Sequence, residues 1–89
     1  MKVCKFGGSS VASAEQIEKV IGIVAADPAR RVVVVSAPGK RHKGDDKVTD
    51  LLISCAVRVL DGGTAGEEVR RVVARFEAIR ADLGLGTEL

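Results

Sequence analysis

Four valines in a row, at positions 32–35, limit the folds open to this chain more than any other stretch. A strand with one wet face alternates apolar and polar residues. An unbroken apolar run fits a strand covered on both faces, as in a parallel sheet. Such a strand needs neighbours on its edges and helices above and below it. A first strand is predicted at residues 1–6, where Val3, Cys4 and Phe6 precede a Gly7-Gly8 break. The core must be aliphatic, because two Phe are the only aromatics in 89 residues that are 46% hydrophobic.

Helical periodicity lies between and after the strands. Ile17, Val20, Ile21 and Val24 recur at helical spacing over residues 13–27. Ser13 with Gln16 forms a capping-box pattern, and Asp27-Pro28 ends the run, since the residue before proline is pushed out of the helical region. A second helix is predicted from about Asp46 to Leu60, with Val48, Leu51, Leu52, Cys55, Ala56 and Val59 as its stripe. A third follows the "DGG" break at 61–63. It opens on a Thr64/Glu67 capping box, lines up Val69, Val72, Val73, Phe76, Ile79 and Leu83, and stops at Gly84.

The order β-α-β-α-α contains one βαβ unit, expected to be right-handed, and belongs to the α/β class. Two strands leave open sheet edges and uncovered helix faces. The chain is therefore expected to be part of a larger domain, completed by further strands or by a second copy of itself.

Composition excludes several functions. A net charge of +2 with no Tyr or Trp argues against a nucleic-acid binder. No apolar run approaches the ~20 residues of a membrane span, and the amino terminus lacks a signal-peptide pattern. Cys4 and Cys55 sit far apart in apolar segments and are expected to be buried, reduced thiols, which suits the cytoplasm. One His and two distant Cys make no metal site, so no protein-held metal is expected.

Two motifs have the parts for anion chemistry. In Lys5-Phe6-Gly7-Gly8-Ser9-Ser10 a cation and two hydroxyls flank a flexible turn between strand and helix. Glycines let the backbone approach a bulky anion, and amides at a helix start point towards it. The plain alternative is a turn that only connects. The pattern is neither the Walker loop nor the dinucleotide glycine motif. The second motif pairs Ser36, at the carboxyl end of the valine strand, with Thr49, in the first turn of the next helix. In open α/β sheets ligands bind beyond the carboxyl ends of strands. Ser36 could equally satisfy local backbone, and Thr49 could cap its own helix. The loop "GKRHKGDDK" at 39–47 reads as solvated and mobile, or as a cationic lid, and His42 reads as exposed.

Taken together, "CKFGGSSVA" at 4–12, "VVVVSAPGK" at 32–40 and "KVTDLL" at 47–52 closely resemble the amino-terminal region of aspartate kinases, in the amino-acid kinase superfamily. The resemblance covers most of residues 2–60, and "RFEAIRADLGL" resembles the following helix less specifically. It implies a three-layer α/β/α domain with a mainly parallel sheet, of which residues 1–89 are the amino-terminal portion. The expected regulatory ACT domains, aspartate clamp and adenine pocket lie outside this sequence. It further implies transfer of the ATP γ-phosphate to L-aspartate, with Mg²⁺ accompanying ATP. This is the first step of lysine, threonine and methionine biosynthesis. Lys5 would neutralise the moving phosphoryl group. Gly7, Gly8 and Ser9 would cradle phosphates, and Ser36 and Thr49 would hold the amino acid. The fragment alone is expected to be inactive. The alternatives are a non-enzymatic phosphate- or nucleotide-binding module, and an assembly subunit completed by another chain through the open sheet edge.

Overall fold

A computed structural model describes residues 1–86. The chain forms two compact units, Met1–Asp45 and Asp46–Leu89.

In the first unit, β1 (Lys2–Phe6) leads through a single 3₁₀ turn (Gly8–Val11) to α1 (Ala14–Ala25) and then β2 (Arg30–Val35). The two strands pair in parallel, with Val3 opposite Val32 and Phe6 opposite Val35, after an irregularity between Lys2 and Val3. Ser13 caps α1 as expected, its Oγ accepting the Gln16 N–H at 3.4 Å. The 3₁₀ turn was not expected. α1 stops two residues before the predicted end because Asp27 is used elsewhere. Its carboxylate accepts the Ala29 N–H at 2.9 Å and the Lys2 ammonium at 2.6 Å. That pairing, with the Lys2 N–H bonded to the Ala29 carbonyl, ties the start of β1 to the turn before β2.

Val11, Ala12, Ala14 and Val20 are buried in this unit. The valines are not. Val32 to Val35 are 39%, 41%, 47% and 58% exposed. Among the described residues the sheet has two strands, so β2 has one neighbour and much of its apolar surface stays open. The expected cover on both faces is absent from residues 1–86. Cys4 and Cys55, expected to be buried, are half-buried free thiols.

The second unit pairs α2 (Val48–Leu60) with α3 (Gly66–Asp82). Both helices end as the glycines suggest. The Gly62 and Gly63 amides bond back to the Val59 and Arg58 carbonyls, with Gly62 at φ +83°. The Gly84 and Leu85 amides do the same to Ala81 and Arg80, with Gly84 at φ +72°. Each is a Schellman end, whose left-handed residue tolerates glycine best. The helix starts differ from expectation. α2 begins at Val48, two residues after the expected start near Asp46, and the Asp46 carbonyl accepts from Arg75 instead of a helical amide. α3 has Ala65 at its N-cap and no side-chain cap, so the Thr64/Glu67 box does not form. Glu67 pairs with Arg70 one turn further on instead.

The helix stripes are also shifted. α2 buries Val48 and Leu51 and half-buries Cys55, but exposes Leu52, Ala56 and Val59. On α3 the covered line runs through Glu68, Val72, Arg75, Ile79 and Leu83, while Val69, Val73 and Phe76 are 52%, 47% and 38% exposed. The face is chosen by its charged members. Glu68 bonds Arg58 of α2 at 2.7 Å, and Arg75 bonds the Asp46 carbonyl at 2.7 Å.

Candidate phosphate-binding site

Parallel pairing brings the carboxyl ends of β1 and β2 to the same end of the sheet. The Ser36 N–H donates to the Phe6 carbonyl at 3.2 Å, so Ser36 lies beside the turn that follows β1. Lys5 stands opposite Val34 in the register. Strand alternation sends Cys4 and Phe6, both half-buried, to one face and the exposed Lys5 to the other. Lys2 pairs with Asp27, whereas Lys5 has no ion-pair partner among the described residues, which leaves its ammonium available to a ligand.

The two glycines after Lys5 have different physical roles. Gly7 is exposed and extended, at φ −75° and ψ 177°, and a Cβ there would meet nothing within 4 Å. Its open side is free for a ligand. Gly8 instead sits where two backbone segments cross. A Cβ on Gly8 would lie 2.9 Å from the Ala37 carbonyl oxygen, and one on Gly39 would lie 2.8 Å from the Gly8 carbonyl carbon. The Gly39 N–H bonds the Gly8 carbonyl at 2.8 Å, closing the crossing. Gly39 was read from the sequence only as part of a loop. Its position after a proline at a strand end was the available signal, but glycine is common in such loops whether or not anything lies close.

After Gly8 the chain enters the 3₁₀ turn, whose first bond runs from the Ser10 N–H to the Gly7 carbonyl at 3.1 Å. The Gly8 and Ser9 amides precede that bond, where a helical turn leaves donors without internal acceptors. Ser9 is exposed and Ser10 half-buried. The first unit therefore gathers Lys5, Gly7, Gly8, Ser9 and Ser36 at one end of a two-stranded sheet. Thr49 belongs to the second unit. It is exposed, the second residue of α2, and not the N-cap, which is Lys47.

The loop after Gly39 is cross-linked by hydrogen bonds. Arg41 grips the Asp45 carboxylate through its backbone N–H at 2.9 Å and through Nε and Nη2 at 2.6 and 2.9 Å. The Asp45 N–H bonds the His42 carbonyl at 3.1 Å. Lys40, His42 and Lys43 stay exposed around this closed turn.

Three carboxylates outside the site are held below their ordinary values by cationic partners. The Lys2 ammonium, then the Ala29 amide, hold Asp27 below its ordinary value. The Arg58 guanidinium holds Glu68 down, and Arg80 holds Glu77 down. A carboxylate with a depressed folded-state pKa adds stability above its unfolded value, near ~4, and loses it as pH falls through the folded value. Tm is expected to be flat above about pH 5 and to fall below about pH 4. Thermal melts across this range should show a shallower acid limb for Glu68→Gln. An unchanged limb would remove the Arg58–Glu68 pair from the account.

Comparisons with known proteins converge on the same segments. The amino acid kinase family model matches residues 1–81. Aspartokinase 3 of Bacillus subtilis (strain 168) is 55% identical over all 89 residues, which span 20% of that protein. A crystal structure of Clostridium acetobutylicum aspartate kinase, described as an allosteric enzyme, superposes with a TM-score of 0.92 at 38% identity. The match covers 97% of this chain and 20% of that one. The chain thus spans about a fifth of the length of either relative.

Proposed function

This chain belongs to the amino acid kinase family, and from that premise we propose that it supplies the phosphate-holding part of an aspartate kinase. Residues 1–89 would form the amino-terminal part of the catalytic domain. The reaction is attack of the L-aspartate side-chain carboxylate on the γ-phosphorus of ATP. A new O–P bond forms, the β–γ bridge breaks with its electron pair leaving on ADP, and 4-phospho-L-aspartate results. This opens the biosynthesis of lysine, threonine and methionine, and cytoplasmic pools would supply both substrates.

The observation that carries this reading is Lys5, exposed and without an ion-pair partner among the described residues, two positions before a Gly7 whose Cβ side is open. Phosphoryl transfer needs little covalent chemistry from a protein. Positioning and charge stabilisation supply most of the rate. Lys5 meets the charge on the transferring group. The Gly8 and Ser9 amides, with Gly7 leaving room, hold phosphate oxygens, and Ser36 and Thr49 hold the amino acid. Among the described residues no cluster of three or more His, Cys, Asp or Glu could bind a metal. Mg²⁺ would accompany ATP, as it does for phosphoryl transfer generally. The chain spans about a fifth of the length of its relatives, and turnover is expected of the complete enzyme.

The direct test is isothermal titration of ATP into the chain and into its Lys5→Ala variant. The substitution is expected to weaken binding about tenfold, the loss of one favourable charge contact. Equal affinities would remove the phosphate site. A second reading, a phosphate-binding module completed by another chain, draws on the exposure of Val32–Val35. It expects light scattering to report self-association or a stable complex; a clean monomer that binds ATP would count against it.

A further inference from the structure

The start of α2 lacks what usually fixes a helix start. Lys47 is the N-cap, extended at φ −74° and ψ 143°, and makes no side-chain cap bond. A Ser, Thr, Asp or Asn usually supplies that bond. Two arginines from α3 act on the preceding residue instead. Arg75 Nη1 donates to the Asp46 carbonyl at 2.7 Å, and Arg71 Nη2 donates to the Asp46 carboxylate. Asp46 is thus held at both its backbone and its side chain, one residue before the N-cap.

Arg75 is an unusual residue for its place. It is 5% exposed, the one buried residue of a line whose other members, Glu68, Val72, Ile79 and Leu83, are half-buried. Burying a guanidinium costs free energy that an apolar side chain of similar size would avoid. Packing alone therefore does not account for an arginine there. Its Nη1 donates to a backbone carbonyl one residue before the α2 N-cap, where an apolar side chain would offer no donor.

We propose that Arg75, assisted by Arg71, is a positioning residue that fixes the segment from Asp46 to Thr49 and so holds the Thr49 hydroxyl in place for the substrate. The substrate half of this statement rests on the reading of Thr49 given above. The anchoring half stands on the geometry alone. α3 then has a task beyond covering α2, since it sets the position of a binding element from behind.

Amide hydrogen exchange on the full chain tests the anchoring. Arg75→Met keeps the apolar stem and removes the donors. It is expected to lower protection of the Leu51 and Leu52 amides about tenfold, while amides in the middle of α3 keep theirs. Arg75→Lys, with one donor left, should recover part of the protection. Arg71→Gln alters an exposed side chain and keeps the test decisive if Arg75→Met fails to fold. It should lower protection of the same amides about threefold. Unchanged protection, or an equal fall through both helices, would overturn the anchoring. In the complete kinase, Arg75→Met should raise KM for aspartate about tenfold, with KM for ATP and kcat little changed. A local loss of protection with an unaltered aspartate KM would sever the link to substrate. Absence of kinase activity in the unsubstituted enzyme would refute the proposed function, and the exchange result would still decide the anchoring.

Discussion

Lys5→Ala is expected to lower kcat of the complete kinase by ~100–1,000-fold, the usual loss when one preorganised group meeting transition-state charge is removed. Tm should hardly move. Lys5 is exposed and has no ion-pair partner among the described residues, and surface substitutions of that kind stay within about 0.5 kcal/mol. The two readouts together separate a functional lysine from a structural one. KM for aspartate is expected to change least, since the ammonium is assigned to the phosphate side of the reaction. Trapping the acyl phosphate with hydroxylamine gives the rate. A variant with near-normal turnover would place the catalytic charge elsewhere.

Gly39→Ala is expected to destabilise the first unit by about 3 kcal/mol, at the upper end of the usual cost of overpacking. For a domain of this size that is a fall in Tm on the order of 10–20 °C. The reason is specific. The added methyl would lie 2.8 Å from the Gly8 carbonyl carbon and 3.0 Å from the Ser9 nitrogen, both backbone atoms that cannot rotate away. Gly8→Ala meets the same crossing from the other side, 2.9 Å from the Ala37 carbonyl oxygen, and should cost a comparable amount. Gly7→Ala should behave in the opposite way. Its backbone is in an ordinary extended conformation with open space around the new methyl, so stability should change by less than about 1 kcal/mol. The methyl would occupy the side assigned to phosphate, and KM for ATP should rise roughly tenfold. Melting and ATP titration of the three variants would show whether adjacent glycines divide these tasks. A Gly39→Ala protein that melts normally would show that the crossing relaxes at little cost.

How much could be read in advance varied by element. β1, α1, β2 and the two glycine-terminated helix ends were legible because their causes are local. Gly62 and Gly84 sit where the chain must turn left-handed, and Ser13 reaches an amide three residues on. The cation, glycines and hydroxyls of the candidate site were equally plain as residue types, as was the resemblance that gave them roles. The start of α2, the covered face of α3 and the role of Gly39 were not legible. Each depends on a partner distant in sequence, with Asp46 and Arg75 being 29 positions apart.

The contrast within one helix shows why. By periodicity alone, Val69, Val73 and Phe76 belong to the apolar side of α3, yet they remain the more exposed residues. Glu68 and Arg75 occupy the covered side because each finds its hydrogen-bond partner there, Arg58 for one and the Asp46 carbonyl for the other. An apolar side chain gains from any cover, whereas a buried charge is tolerated only where a partner meets it. The sequence by itself determined the α/β order, the glycine-terminated ends of α2 and α3 and the glycine turn after β1, because these follow from backbone preferences and periodicity. Only the tertiary structure decided which face of α3 is covered, where α2 begins and which glycine is forced by a backbone crossing, because directional contacts between distant residues settle those matters.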